Sequence, residues 1–80
     1  MSKTTEQMLQ VVRKAMLDMD NAVNSETVIA AHQYCTGYAQ AMYDAGKIDA
    51  DQLLELLREV AAHHETGRAK FPAWSHPNFQ

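Results

Sequence analysis

Residues 42–53 read Met42-Tyr43-Asp44-Ala45-Gly46-Lys47-Ile48-Asp49-Ala50-Asp51-Gln52-Leu53, and this stretch decides the fold. Gly46 suits the left-handed position that closes a helix, because a residue without a Cβ adopts it cheaply. A new helix opens almost at once. Asp49 can accept a hydrogen bond from a free backbone N–H of the first turn, and Gln52 can return one to the cap. Ile48 and Leu53 occupy the two positions of a hydrophobic staple, which fixes the angle at which the chain joins the helix. The short link Gly46-Lys47-Ile48 makes the flanking helices antiparallel neighbours.

The pattern extends in both directions. Downstream, Leu53, Leu56, Leu57 and Val60 form an apolar face with Ala61 beside it, and Gly67 is expected to end the helix. Upstream, Val28, Ala31, Cys35, Tyr38, Met42 and Ala45 recur in helical steps, back to the candidate caps Asn24 and Ser25. Nearer the N-terminus, Thr4 and Gln7 fit a capping box, followed by an apolar stripe at Met8, Val12, Ala15, Met19 and Ala22. Leu9, Met16 and Val23 widen that stripe. Carried past Ala22, its rhythm reaches Glu26, Ile29, Gln33 and Thr36, which are mostly polar, so the phase changes. A turn near residues 21–25 is expected, with one long bent helix as the alternative. The fold is therefore read as all-α: helices at about 5–20, 25–45 and 50–66 in a domain of residues 1–67, then an extended tail at 68–80.

Composition narrows the function. Eighty residues make one small domain, which buries only roughly 60–65% of its unfolded surface as a monomer. The net charge is −3, with acids concentrated in residues 18–65 and no clustered basic face, which argues against nucleic acid as a partner. A single cysteine, Cys35, excludes an internal disulfide and fits a reducing compartment. The N-terminus has no secretory apolar run, and no segment is apolar for long enough to span a membrane. The expected setting is cytoplasmic, with no membrane partner.

Thr27 to Tyr43 is seventeen residues without an Asp, Glu, Lys or Arg. A surface helix of a small bundle normally carries charge on its outer face, and two short neighbours cannot surround this one. Gly37, Ala41 and Ala45 stand at i, i+4 and i+8, where small side chains allow close approach of another backbone. Tyr34, Tyr38 and Tyr43 add amphipathic area of the kind enriched at interfaces. The competing reading is a central core helix with uncharged edges. The interface set expected from the sequence is Tyr34, Gly37, Tyr38, Ala41, Met42 and Tyr43 on this helix, with Met16 and Met19 from the first as adaptable contacts. A homodimer and a second, protein partner are expected.

His32 and Cys35 share a face of the second helix, and the hairpin register brings them level with His63 and His64, with Glu65 following; His32, Cys35 and His64 are the metal-ligand candidates. Their spacing matches no strong zinc motif. His63 and His64 point about a hundred degrees apart, so only one can face His32. The alternative is a buried core cysteine with histidines on helix edges, so neither metal nor cofactor is expected. No phosphate loop, catalytic carboxylate pair or cofactor fingerprint is present, and no enzymatic activity is expected. A helix-turn-helix reading fails because the would-be recognition helix carries Asp51, Glu55, Glu59 and Glu65 against Arg58.

Two resemblances accompany these readings. The Gly46-Lys47-Ile48-Asp49 turn between helices resembles that of short bacterial C-terminal oligomerisation modules (the SHOCT type), over residues 38–66. It lacks the acidic-aromatic start such modules usually have in the second helix. The resemblance implies a hairpin that mediates assembly. In the tail, Trp74-Ser75-His76-Pro77-Asn78-Phe79 resembles the streptavidin-binding purification tag, departing from it at Asn78. That resemblance implies a tag-derived tail. The other reading is a native tail in which Phe71, Trp74 and Phe79 anchor on the acidic hairpin or in a partner's groove. The expected function is a small protein-binding regulator, adaptor or inhibitor of bacterial or phage type. A structural subunit of a larger assembly and a His/Cys metal-binding protein are the alternatives.

Overall fold

A computed structural model describes residues 4–71 and contains three helices: α1 (Thr5–Asp20), α2 (Ser25–Asp44) and α3 (Ala50–Arg68). The fold is all-α. Each helix packs on the other two. Trp74 and Phe79, and with them the tag resemblance, lie outside the described residues; Phe71 is half-buried.

Local chemistry sets the helix ends. Thr4 accepts from the Gln7 N–H at 3.1 Å while the Gln7 side chain accepts from the Thr4 N–H at 2.9 Å, so two free donors are satisfied reciprocally. The same box forms at α3, where Asp49 and Gln52 exchange hydrogen bonds of 2.8 Å in both directions. Asn24 caps α2, accepting from the Thr27 N–H at 2.8 Å. That cap separates α1 from α2, so the continuous bent helix does not form. At the other end of α2, Gly46 adopts φ +76°, its N–H donates to the Tyr43 carbonyl and that of Lys47 to the Met42 carbonyl. These two bonds make the Schellman closure, which requires a residue that tolerates positive φ.

The contacts define an up-down-up order. The Thr5 hydroxyl donates to the Lys47 carbonyl, placing the start of α1 beside the α2–α3 turn. The Cys35 thiol donates weakly to the Val12 carbonyl at 3.7 Å, midway along the α1–α2 seam. At the far end the His32 ring stacks on His64, bringing the start of α2 to the end of α3. The core between them is Val12, Ala15, Met16, Met19, Cys35, Ala39, Met42, Ile48, Leu56 and Val60, with Leu53 and Leu57 packed against it.

Three sequence expectations are corrected here. Gly67 does not end α3; it lies inside the helix and is buried. A Cβ there would sit 2.7 Å from the Met19 carbonyl oxygen and 3.3 Å from both Val28 methyls, so glycine is needed for close packing and not for a stop. Val23 does not widen the α1 stripe, because α1 has already ended and the side chain is 84% exposed. Ala45 and Ala61 are exposed at the edges of their helices and take no part in the core.

Candidate functional site

The seam between α1 and α2 closes at its floor and opens at its outer side. Val12, Met16 and Met19 of α1 and Val28, Cys35 and Ala39 of α2 are fully buried or nearly so, and the Cys35 thiol meets the Val12 carbonyl. Above the floor lies an open trough of about 830 Å³. Val11, Ala15 and Ala22 line it from the α1 side, and Ala30, Ala31 and Tyr34 from α2. Its charged lining residues are Lys14 and Asp18, one turn apart on α1 and both exposed. Neither forms an ion pair among the described residues.

The outward face of α2 continues from this trough. Ala30, Gln33, Tyr34, Gly37, Gln40, Ala41 and Tyr43 are all exposed, and none is charged. Tyr34 is 52% exposed and Tyr43 40%. The Tyr34 ring lies against Tyr38, centroids 5.7 Å apart and tilted by 45°. Tyr38 turns inward and packs against the core. Above Gly37 the space is open: no atom of the described residues outside its own helix backbone lies within 4 Å of where a Cβ would stand.

The expected interface residues therefore divide. Tyr34, Gly37 and Ala41 share the exposed side of α2, with Tyr38 at its edge, whereas Tyr43, nine residues on from Tyr34, is exposed on the opposite flank of the helix. Met16, Met19 and Met42 do not belong to a surface. Each is at most 2% exposed in one chain, because their long flexible side chains fill the space between the three helices. Gln33 and Gln40 join the strip although the sequence reading passed over them. Their lack of charge was the signal that could have included them.

The metal candidates also separate. His32 and His64 do meet, as stacked rings with centroids 4.0 Å apart and planes 25° apart. Cys35 faces α1 instead, fully buried against the Val12 carbonyl. No group of three or more His, Cys, Asp or Glu side chains suited to a metal occurs among the described residues. Burial, and then the Asp18 carboxylate, push the Cys35 thiol above its ordinary value of 9.0, which disfavours the nucleophilic thiolate.

His63 takes the other direction. Its Nδ1–H donates to both carboxylate oxygens of Asp20, at 2.8 and 2.9 Å. Asp20 is the last residue of α1, where the helix dipole presents negative partial charge and no basic residue occupies the final turn. Lys70 donates its Nζ to the Asp20 carbonyl as well. The end of α3 thus supplies the cationic and donor groups that the end of α1 lacks. This acid at a helix C-terminus, without a local cation, was the clue the sequence offered to the pair.

No helix of the described residues is long and apolar enough to cross a membrane. Comparison with protein-family models, with curated proteins and with solved structures finds no match for this chain.

Proposed function

We propose that this chain is a small non-enzymatic protein-binding regulator or adaptor that acts through helix contacts along α2. One observation carries the reading: the solvent-facing side of α2 presents no charge from Thr27 to Tyr43, and half-exposed tyrosines, Tyr34 and Tyr43, flank it on opposite edges. Exposed helical faces in globular proteins ordinarily carry charged side chains, while interface centres are depleted in charge and enriched in tyrosine. The open trough beside Tyr34 adds apolar surface continuous with the strip. The separate placing of Cys35 from His32 and His64 favours this reading over a His/Cys metal protein.

The test uses the full chain in the cells that produce it. A photoreactive benzoylphenylalanine in place of Gln40, exposed on the strip and clear of the trough, should form a covalent adduct with a different protein. The same probe in place of Glu59, exposed on α3, serves as the control. An adduct specific to position 40 supports the reading. Adducts at neither position, or equally at both, would overturn it.

A further inference from the structure

We propose that the α1–α2 trough closes against the same trough of a second copy of this chain, related by a two-fold axis that sets Lys14 of each copy against Asp18 of the other. This deepens the protein-binding reading above and rests on it. The argument begins with charge. A chain of net charge −3 repels its own copies, so self-association needs a patch that is neutral or self-complementary. The trough is that patch. Its lining is apolar or uncharged except for one cation and one anion, neither of which forms an ion pair among the described residues.

Register supplies the second step. Cys35 meets Val12, and Gly67 touches both Met19 and Val28, so α1 and α2 run past each other with Met16 level with Ala31. Met16 is midway between Lys14 and Asp18, and Ala31 is in the middle of the α2 wall formed by Thr27, Ala30, Ala31 and Tyr34. One axis perpendicular to the helices at this height therefore does two things. It pairs Lys14 with Asp18 twice over, and it lays the small residues Ala30 and Ala31 of the two copies together. An isologous contact requires such a surface, in which every charge finds its opposite under the same rotation. Tyr34, half-exposed at one end of the trough, becomes the aromatic anchor. The C-terminal half of α2 stays outside this contact, so the pair displays two copies of the neutral strip.

Charge reversal tests the pairing, because it has a built-in rescue. By sedimentation at micromolar concentration the wild-type chain should have twice the 9.0 kDa mass of one copy. Lys14→Glu or Asp18→Lys alone turns two attractive pairs into two repulsive ones, and each should weaken the dimer about tenfold or more. The double variant K14E/D18K restores both pairs with signs exchanged and should return to the wild-type affinity. Circular dichroism should show all four chains equally folded, since both side chains are exposed. Benzoylphenylalanine in place of Tyr34 identifies the occupant, and a cross-linked self-dimer is expected. The proposal is overturned by a monomeric wild type, by single reversals without effect, or by a double reversal no tighter than the singles. An adduct from position 34 only within one chain, or only to another protein, also overturns it. A monomer that still gives the position-40 adduct would remove the dimer and leave the protein-binding reading standing.

Discussion

Two glycines of this chain have opposite surroundings, and substitution should separate them. Gly67 is held against the Met19 carbonyl, a backbone group that cannot swing aside, so Gly67→Ala should destabilise the fold by about 1–3 kcal/mol. Gly37 faces open space inside a helix, so Gly37→Ala should stabilise the fold by about 0.5–1 kcal/mol. Urea unfolding followed by circular dichroism reads both. Sequence alone could not tell them apart. Gly67 near the end of an apolar pattern resembles a helix stop, and only the three-dimensional approach of α1 and α2 shows that its missing Cβ is needed. His64 sets a pH dependence. In the fold it is held below its ordinary value of 6.5, first by burial, then by His32 and Arg68, with Glu65 opposing. As pH falls through 6.5 the unfolded chain takes up this proton before the folded one. The contribution of His64 is therefore neutral well above that value and increasingly destabilising below it. The urea midpoint should change less between about pH 8 and pH 5 in His64→Gln than in the wild type. An identical pH profile in the two chains would contradict this placement of the ring.

At the scale of the helices, the ends were legible because capping is local. Thr4 with Gln7 and Asp49 with Gln52 form both of their reciprocal bonds, and Gly46 takes the positive φ its position requires. Asp49→Ala removes one bond of a box and leaves the Gln52 N–H without its partner, so it should cost about 1 kcal/mol by the same unfolding measurement. Asp49→Asn, which keeps the acceptor, should cost much less. The packing of the helix ends was not legible. The closure of α1 depends on His63 and Lys70, forty-three and fifty residues away from Asp20 in sequence. Periodicity reports which face of a helix is apolar, not which neighbour that face meets. That is why Met16, Met19 and Met42 have the sequence pattern of contact residues and yet are core.

At the scale of the whole molecule, size and charge act together. A three-helix chain of 80 residues has too few elements to cover every side of its middle helix, and the side left open carries no charge between Thr27 and Tyr43. The sequence exposed the second half of that statement directly, as a seventeen-residue stretch from Thr27 to Tyr43. The first half needed the fold, because only the packing of α1 and α3 decides which flank of α2 faces solvent. Tyr34 and Gly37 were anticipated on that flank, whereas the trough with its Lys14 and Asp18 rim was not, since it is formed jointly by two helices. The claim that the neutral flank is a protein-contact surface is most directly tested by a carboxylate placed at its centre. Gly37→Asp enters open space and should leave the unfolding free energy within about 0.5 kcal/mol of the wild type. It should abolish the covalent adduct formed from the photoreactive residue at position 40. An adduct formed with undiminished yield in a chain carrying Asp at position 37 would contradict the account.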